Sequence, residues 1–222
     1  MIFKEIQAIL FDFDGVIADS VHVKTEAFAK IYEPYGKEVV NRVVTHHIAN
    51  GGVSRFEKFK IYHKDFLGID LGNQQVQELA DKFQGLVIQK VIDAPFIPGA
   101  FEFLKKHFQL IPLYVISATP QDEINEIINK KGLKKYFQGV YGSPTKKKEW
   151  SKYIIRKDNF DQEKVIFVGD ALSDYYAAVD CGLHFVARIE KNSGNPFERK
   201  KITSKISDLF DLEVLIHANK KN

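Results

Sequence analysis

Asp12 and Asp14 stand one residue apart at the end of the apolar run Ala8 to Phe11, with Phe13 between them and Gly15 behind them. A short apolar run closed by glycine fits a buried parallel strand. Side chains alternate along a strand, so the two carboxylates project the same way if strand geometry persists past Phe11. Carboxylates at the lip of a buried sheet are costly unless a cation or a phosphoryl group uses them. Asp-Gly is also a turn signal, and taken alone the pair reads equally well as surface turn residues. The elements around the pair have to decide.

Between Ser20 and Ile92 every periodic segment is helical. Ser20 is a candidate N-cap, and Val23, Ala27, Phe28 and Ile31 follow at helical spacing before Glu33-Pro34 and Gly36 end the unit. Further helices are expected over Val39 to Ile48, around Phe56, Phe59 and Ile61-Tyr62, and over Asn73 to Ile92. Asp93 to Gly99, DAPFIPG, reads as a linker. Beyond it, strands are expected at Leu110 to Ser117, Gly139 to Tyr141, Lys164 to Val168 and Leu183 to Ile189. They alternate with helices at Ala100 to His107, Gln121 to Lys131, Glu149 to Lys157, Ser173 to Cys181 and Ser207 to Ala218. Such alternation makes a parallel α/β sheet with right-handed crossovers. The expected organisation is an α/β core of residues 1–19 and 94–222, interrupted by an all-helical insert of residues 20–93. Asn219 to Asn222 read as a frayed polar tail.

Ligands of parallel sheets bind at the carboxyl ends of the strands. There the sequence places Asp12 and Asp14, then Ser117 and Thr119, then Lys146, Lys147 and Lys148 after Gly142-Ser143, then Asp170 and Asp174. This set suits phosphoryl transfer through a carboxylate nucleophile. A hard cation between Asp12 and Asp170 would neutralise charge as the phosphate arrives, and magnesium fits a site of this size. A lysine and a hydroxyl would hold the remaining phosphoryl oxygens, and a free carboxyl would serve as acid and base.

The bulk numbers leave this reading open and close others. Hydrophobic residues make up 45% and charged residues 27% of the 222, an ordinary balance for a globular chain. The net charge of +3 is too balanced to argue for nucleic acid. The single cysteine, Cys181, excludes an intramolecular disulfide and reads as a small core residue. His22, His46, His47 and His63 lack metal spacing with carboxylates, so surface or packing roles are expected for them. No apolar run approaches the ~20 residues that span a membrane. The opening MIFKEIQAIL lacks the parts of a signal peptide, which leads to an expectation of a cytoplasmic protein.

The ordered motifs resemble the haloacid dehalogenase superfamily in its phosphatase and phosphomutase branch. Asp12-Phe13-Asp14-Gly15-Val16 is similar to the family's first motif, Val115-Ile116-Ser117 to its second, and Gly169-Asp170-Ala171-Leu172-Ser173-Asp174 to its fourth. For the third, a lysine, SPTKKKEW replaces the usual context; Lys147 is chosen, with Lys146 and Lys148 as rivals. The resemblance implies a Rossmann-like core with a helical cap and an aspartyl-phosphate formed on Asp12. It implies Asp14 as acid and base, and phosphate held by Ser117 and Lys147. It implies magnesium on Asp12, the Asp14 carbonyl and Asp170, with Asp174 orienting the metal shell. The cap loop Asn50-Gly51-Gly52-Val53-Ser54-Arg55 would face the substrate through Gly52 and Arg55, and Lys24 stands near the cap entrance. An alternative for Arg55 is a salt bridge.

The implied activity is magnesium-dependent hydrolysis of a small phosphorylated metabolite such as a sugar phosphate, with no nucleic-acid or membrane partner. Gly52-Val53-Ser54-Arg55 also resembles the loop of β-phosphoglucomutases, which makes a phosphomutase the alternative. Gly51 and Lys24 stand where that group carries a lysine and a histidine. A non-catalytic phosphate-ligand binding protein is a third reading, since fold does not imply function.

Overall fold

The computed structural model describes residues 5–191 and 193–217. Six parallel strands run in the order β3-β2-β1-β4-β5-β6: β1 Ala8–Phe11, β2 Leu113–Pro120, β3 Gly139–Ser143, β4 Val165–Gly169, β5 His184–Arg188 and β6 Ser204–Ile206. The α/β class expected from the alternation is therefore present. β1 lies at the centre, with β2 on one side and β4 on the other. The chain builds outward in one direction through β3 and then returns to build in the other. This reversal beside β1 is where a parallel sheet opens a crevice at its carboxyl edge.

The four residues of β1 are fully buried, and their alternation assigns the two faces. Ile9 and Phe11 join one apolar cluster, while Ala8 and Leu10 join the other. The first cluster includes the helices α5 Ala100–His107, α6 Gln121–Lys130 and α9 Leu209–His217. The second includes α7 Lys147–Lys157 and α8 Leu172–Val179. Burying whole aliphatic and aromatic side chains on both faces contributes roughly 1.5–3 kcal/mol each.

Between β1 and β2 the chain is helical: α1 Val21–Tyr32, α2 Lys37–Ala49, α3 Arg55–Ile61 and α4 Asn73–Asp93. A π-helical turn at Tyr62–Leu67 extends α3. Phe28 of α1, Phe59 of α3 and Phe83 of α4 centre their packing, with ring centroids 5.5 and 4.5 Å from Phe28. Two side-by-side connections join these helices to the sheet: Ala18 bridges Phe96, and Asp19 N–H donates to the Pro95 carbonyl at 2.9 Å.

Several expectations need correction. β2 starts at Leu113, three residues later than expected, and runs on to Pro120. α7 begins at Lys147 rather than Glu149. The last helix begins at Leu209 rather than Ser207; Ala218, expected within it, and the tail Asn219 to Asn222 lie outside the described residues. β6 was not expected, because three residues carry too little alternation to be read. The buried face of α3 is Arg55, Lys58 and Phe59, continuing to Tyr62, and Phe56 is only partly covered. Ser20 does occupy the N-cap position of α1, but its hydroxyl makes no cap bond and donates to Asp14 instead.

Candidate active site

The register that pairs Phe11 with Val115 and with Val168 brings three strand ends to one edge. Asp12 N–H continues the ladder, donating to the Val168 carbonyl at 2.9 Å. β1 stops at Phe11 and Gly15 adopts φ 77°, so the pleat does not carry the common projection of the two aspartates. The carboxylates take different partners while lining one cavity. Gly15 is needed there: a Cβ would lie 2.1 Å from Asp170 Oδ2.

Asp12 shares the parity of Ala8 and Leu10 along the strand, on the side where α7 and α8 pack. From those helices come Lys147 and Asp174. Lys147 Nζ lies 2.8 Å from Asp12 Oδ2 and 2.6 Å from Asp174 Oδ1. Asp12 Oδ1 accepts from Phe13 N–H at 2.7 Å, and Asp174 Oδ2 accepts from Ala171 N–H at 3.0 Å. Burial pushes Asp12 up to about 7; Lys147 pulls against it, and Asp174 and Asp14 add to it. Burial also pushes Asp170 well above the usual carboxylate range, followed by the charges of Asp12 and Asp174. Lys147 is held above its ordinary value, because its two aspartates outweigh burial. Among the three rival lysines, Lys147 alone is buried against the carboxylates; Lys148 pairs with Asp180 at 2.7 Å and Lys146 is exposed.

Asp12, Asp170 and Asp174 each offer an oxygen, and these oxygens lie within 4.8 Å of one another. One lysine offsets the three charges. Asp170 receives no hydrogen bond from any described residue. An all-oxygen donor set with surplus negative charge suits a hard divalent cation. A second group, His107, Glu213 and His217, lies on α5 and α9. Its glutamate is already paired with Lys106 and His107.

Asp14 sits in a different setting. Its Oδ1 accepts from Ser20 Oγ at 2.6 Å, and its Oδ2 pairs with Lys24 Nζ. Lys24 also donates to Thr119 Oγ1 at 2.8 Å. Burial would raise Asp14, but Lys24 and the Ser20 hydroxyl outweigh it and hold the carboxyl below its ordinary value. Two neighbouring carboxylates are thus pushed in opposite directions, a pattern associated with divided acid–base roles.

Asp12, Asp14, Lys24, Gly52, Arg55 and Asp170 line one cavity of about 150 Å³. Ser117 and Lys147 line a neighbouring cavity of about 230 Å³, beyond Gly52 and Val53. Asp174 is wholly buried beneath and lines neither. Ser117 Oγ accepts from Thr119 N–H at 3.1 Å. Gly52 has φ 74°, and a Cβ there would meet Ser173 Oγ at 2.0 Å and Lys147 Nζ at 3.5 Å. The helical insert is therefore seated directly on the strand ends. Arg55 does not point its charge into the cavity as an open site: its guanidinium donates to Glu123 of α6 at 2.6 Å and stacks over Phe83 at 4.5 Å.

Sequence reasoning passed over Lys58 and Glu123, and assigned His47 a surface or packing role. Lys58 and His47 both line the first cavity and bond to each other at 2.8 Å. The helical spacing of Arg55, Lys58, Phe59 and Tyr62 was the available signal for Lys58. Of the other three histidines given such roles, His63 bonds Tyr32 at 2.8 Å, His46 stacks edge-on with Tyr62, and His22 is exposed.

Residues 9–188 match the haloacid dehalogenase-like hydrolase family. The chain belongs to this family. It is 26% identical over 182 residues to a phosphorylated carbohydrates phosphatase of Thermotoga maritima, covering 80% of this chain and 82% of that one. It is 26% identical over 224 residues to a phosphoglycolate phosphatase of Photobacterium profundum, covering 95% of this chain and 96% of that one. Among solved structures, a candidate β-phosphoglucomutase of Bacteroides vulgatus superposes with a TM-score of 0.79 at 18% identity, over 99% of this chain and 92% of that one. At that identity the likeness shows the fold. This hydrolase has no helix, among its described residues, long and apolar enough to cross a membrane.

Proposed function

We propose that this hydrolase is a phosphatase acting on a small phosphate monoester, with Asp12 as nucleophile and Asp14 as acid and base. The observation that carries the reading is the Lys147 contact with Asp12 and Asp174 at the carboxyl end of the central strand, 2.8 and 2.6 Å long. It orients a buried carboxylate at the strand edge while leaving Asp170 without a donor. The phosphatases among the relatives support the same reaction class.

An oxygen of Asp12 attacks phosphorus, the ester P–O bond breaks, and Asp14 gives its proton to the departing oxygen. A water then attacks the phosphorus of the aspartyl-phosphate and gives its proton to Asp14; phosphate leaves and the Asp12 carboxylate is restored. In the described form Asp14 is held ionised by Lys24 and Ser20. A phosphate dianion entering beside it favours protonation, which prepares the acid role. Ser117 and Lys147 hold phosphoryl oxygens, and Lys147 offsets the charge that gathers on them. Magnesium would be held by Asp12, Asp170 and the Asp14 carbonyl, with Asp174 fixing Lys147 and the surrounding shell. When bound, it supplies positive charge to the phosphoryl group.

Residues 20–93 act as a cap that excludes bulk water, and Gly52 lets its loop approach the rim closely. Carbohydrate phosphates and phosphorylated hydroxy acids are both within the range set by the relatives. The test is hydrolysis of p-nitrophenyl phosphate with magnesium. Turnover that disappears in Asp12→Asn is expected; wild-type protein inert on this ester and on a broad phosphate panel overturns the reading.

A further inference from the structure

Lys58 is 1% exposed, and among the described residues no carboxylate lies within salt-bridge distance of its ammonium. Its one hydrogen bond is to His47 Nδ1, at 2.8 Å. An ammonium only donates, so that nitrogen accepts and the ring proton of His47 sits on Nε2. Nε2 has no partner among the described residues. Both side chains line the cavity that holds Asp12 and Asp14. The other cations of that cavity are engaged: Lys24 on Asp14 and Thr119, Arg55 on Glu123. Among the described cations of the cavity, Lys58 alone has no carboxylate partner; its ammonium lies 5.6 Å from the centroid of the Phe28 ring, which offers a weak attraction and no counter-charge.

We infer that Lys58, with His47 behind it, is the subsite for an anionic group on the alcohol part of the substrate, so that the substrate is a phosphate ester of a hydroxy acid rather than of a neutral sugar. The inference rests on the phosphatase reading above for the position of the phosphate, at Asp12. A hydroxyl would take a hydrogen bond from Lys58 but would leave its buried charge unmatched; a carboxylate satisfies both. Burial, and then the charge of Lys24, push the Lys58 ammonium down to about 7, as expected for a cation without its counterion. His47 is pushed down to about 3 by burial and then by Lys58, which keeps it a neutral acceptor. Asp12, Asp14, Lys58 and His47 line one cavity of about 150 Å³, and Lys24, which pairs with Asp14, lies near enough for its charge to act on both Lys58 and His47. The two charged ends of the substrate would therefore be close together, as in a short hydroxy acid.

The test compares two esters of equal length, phosphoglycolate and 2-hydroxyethyl phosphate, which differ in a carboxylate against a hydroxymethyl group. Binding is measured by calorimetry on the full chain carrying Asp12→Asn, with magnesium present. Tighter binding of phosphoglycolate by roughly tenfold or more is expected for one charge-assisted contact. Adding Lys58→Met brings the ratio to within about twofold, and Lys58→Gln, which keeps a donor to His47 without the charge, does the same. Equal affinities with Lys58 intact, no binding of either ester, or a ratio that survives both substitutions overturns the inference. The outcomes separate the two readings: loss of the affinity ratio with p-nitrophenyl phosphate turnover intact removes only the Lys58 subsite, whereas absent turnover with the ratio present removes only the phosphatase reading.

Discussion

Arg55 and Glu123 form a buried ion pair of 2.6 Å that ties the helical insert to the first turn of α6. Their side chains are 5% and 2% exposed, and Glu123 Oε2 has no partner among the described residues. Removing the anion leaves a guanidinium buried and unpaired, so Glu123→Ala should cost about 3–5 kcal/mol. The double variant Arg55→Met, Glu123→Leu should recover most of that loss. Urea unfolding of the three proteins decides it; a neutral Glu123→Ala would show that the pair does not form in solution.

Asp170 supplies the second prediction. It faces Asp12 and Asp174 with no donor among the described residues, so metal-free Asp170→Asn should melt above metal-free wild type. Magnesium should stabilise the wild type by about 2.7 kcal/mol at a hundredfold excess over its Kd, and so raise its Tm. It should leave Asp170→Asn unmoved. Thermal melts with magnesium and with EDTA check both halves, and an equal magnesium response in the two proteins would exclude Asp170 as a ligand.

Gly52 concerns the seating of the loop. A side chain there is strained at φ 74° and meets Ser173 Oγ. Gly52→Ala should lower kcat/KM by up to about a hundredfold, because an ångström-scale misplacement near the reacting centre is costly in rate. Stability should change by only about 1–2 kcal/mol. A large fall in stability with unchanged kcat/KM would be the contrary result.

Lys58 should show the stability cost of an unmatched cation. Its amine is pushed down to about 7 in the folded chain, while the unfolded chain keeps the ordinary value of 10.5. Between these values the unfolded state binds the extra proton, so this residue's contribution makes the fold more stable as pH rises from about 7. Below that window the cost of the buried charge is complete. Lys58→Met should therefore stabilise the protein by about 1–3 kcal/mol at pH 6 and by progressively less towards pH 10. Denaturant titrations across this range check the sign; a destabilised Lys58→Met at pH 6 would mean that a counterion is present.

Local pattern made much of this protein legible. Ala8 to Phe11 reads as a buried strand from four apolar residues and the glycine behind them, and the strand end at Gly169-Asp170 is read in the same way, whereas the strand expected to end at Ser117 runs on to Pro120. Because side chains at the ends of parallel strands share one edge, Asp12 and Asp170 could be grouped without coordinates; Ser117, within β2, lines the neighbouring cavity. The α3 segment shows where this stopped. Arg55, Lys58, Lys60 and Lys64 look alike as charges in RFEKFKIYHK. Lys60 and Lys64 are exposed, while Arg55 and Lys58 are buried.

By itself, the sequence determined the parallel α/β architecture, the helical insert and the identity of the carboxylates at the rim. These depend on periodicity and chain order, which are local properties. Only the tertiary structure decided which lysine meets Asp12, that Ser20 serves Asp14 rather than its own helix, and that Glu123 takes the charge of Arg55. It also left Lys58 without a counterion among the described residues. The Lys147 and Glu123 contacts join residues far apart in the chain, and the Ser20 and Lys58 outcomes depend on how the insert sits against the core; a charge's partner and solvation follow from which helix packs on which face.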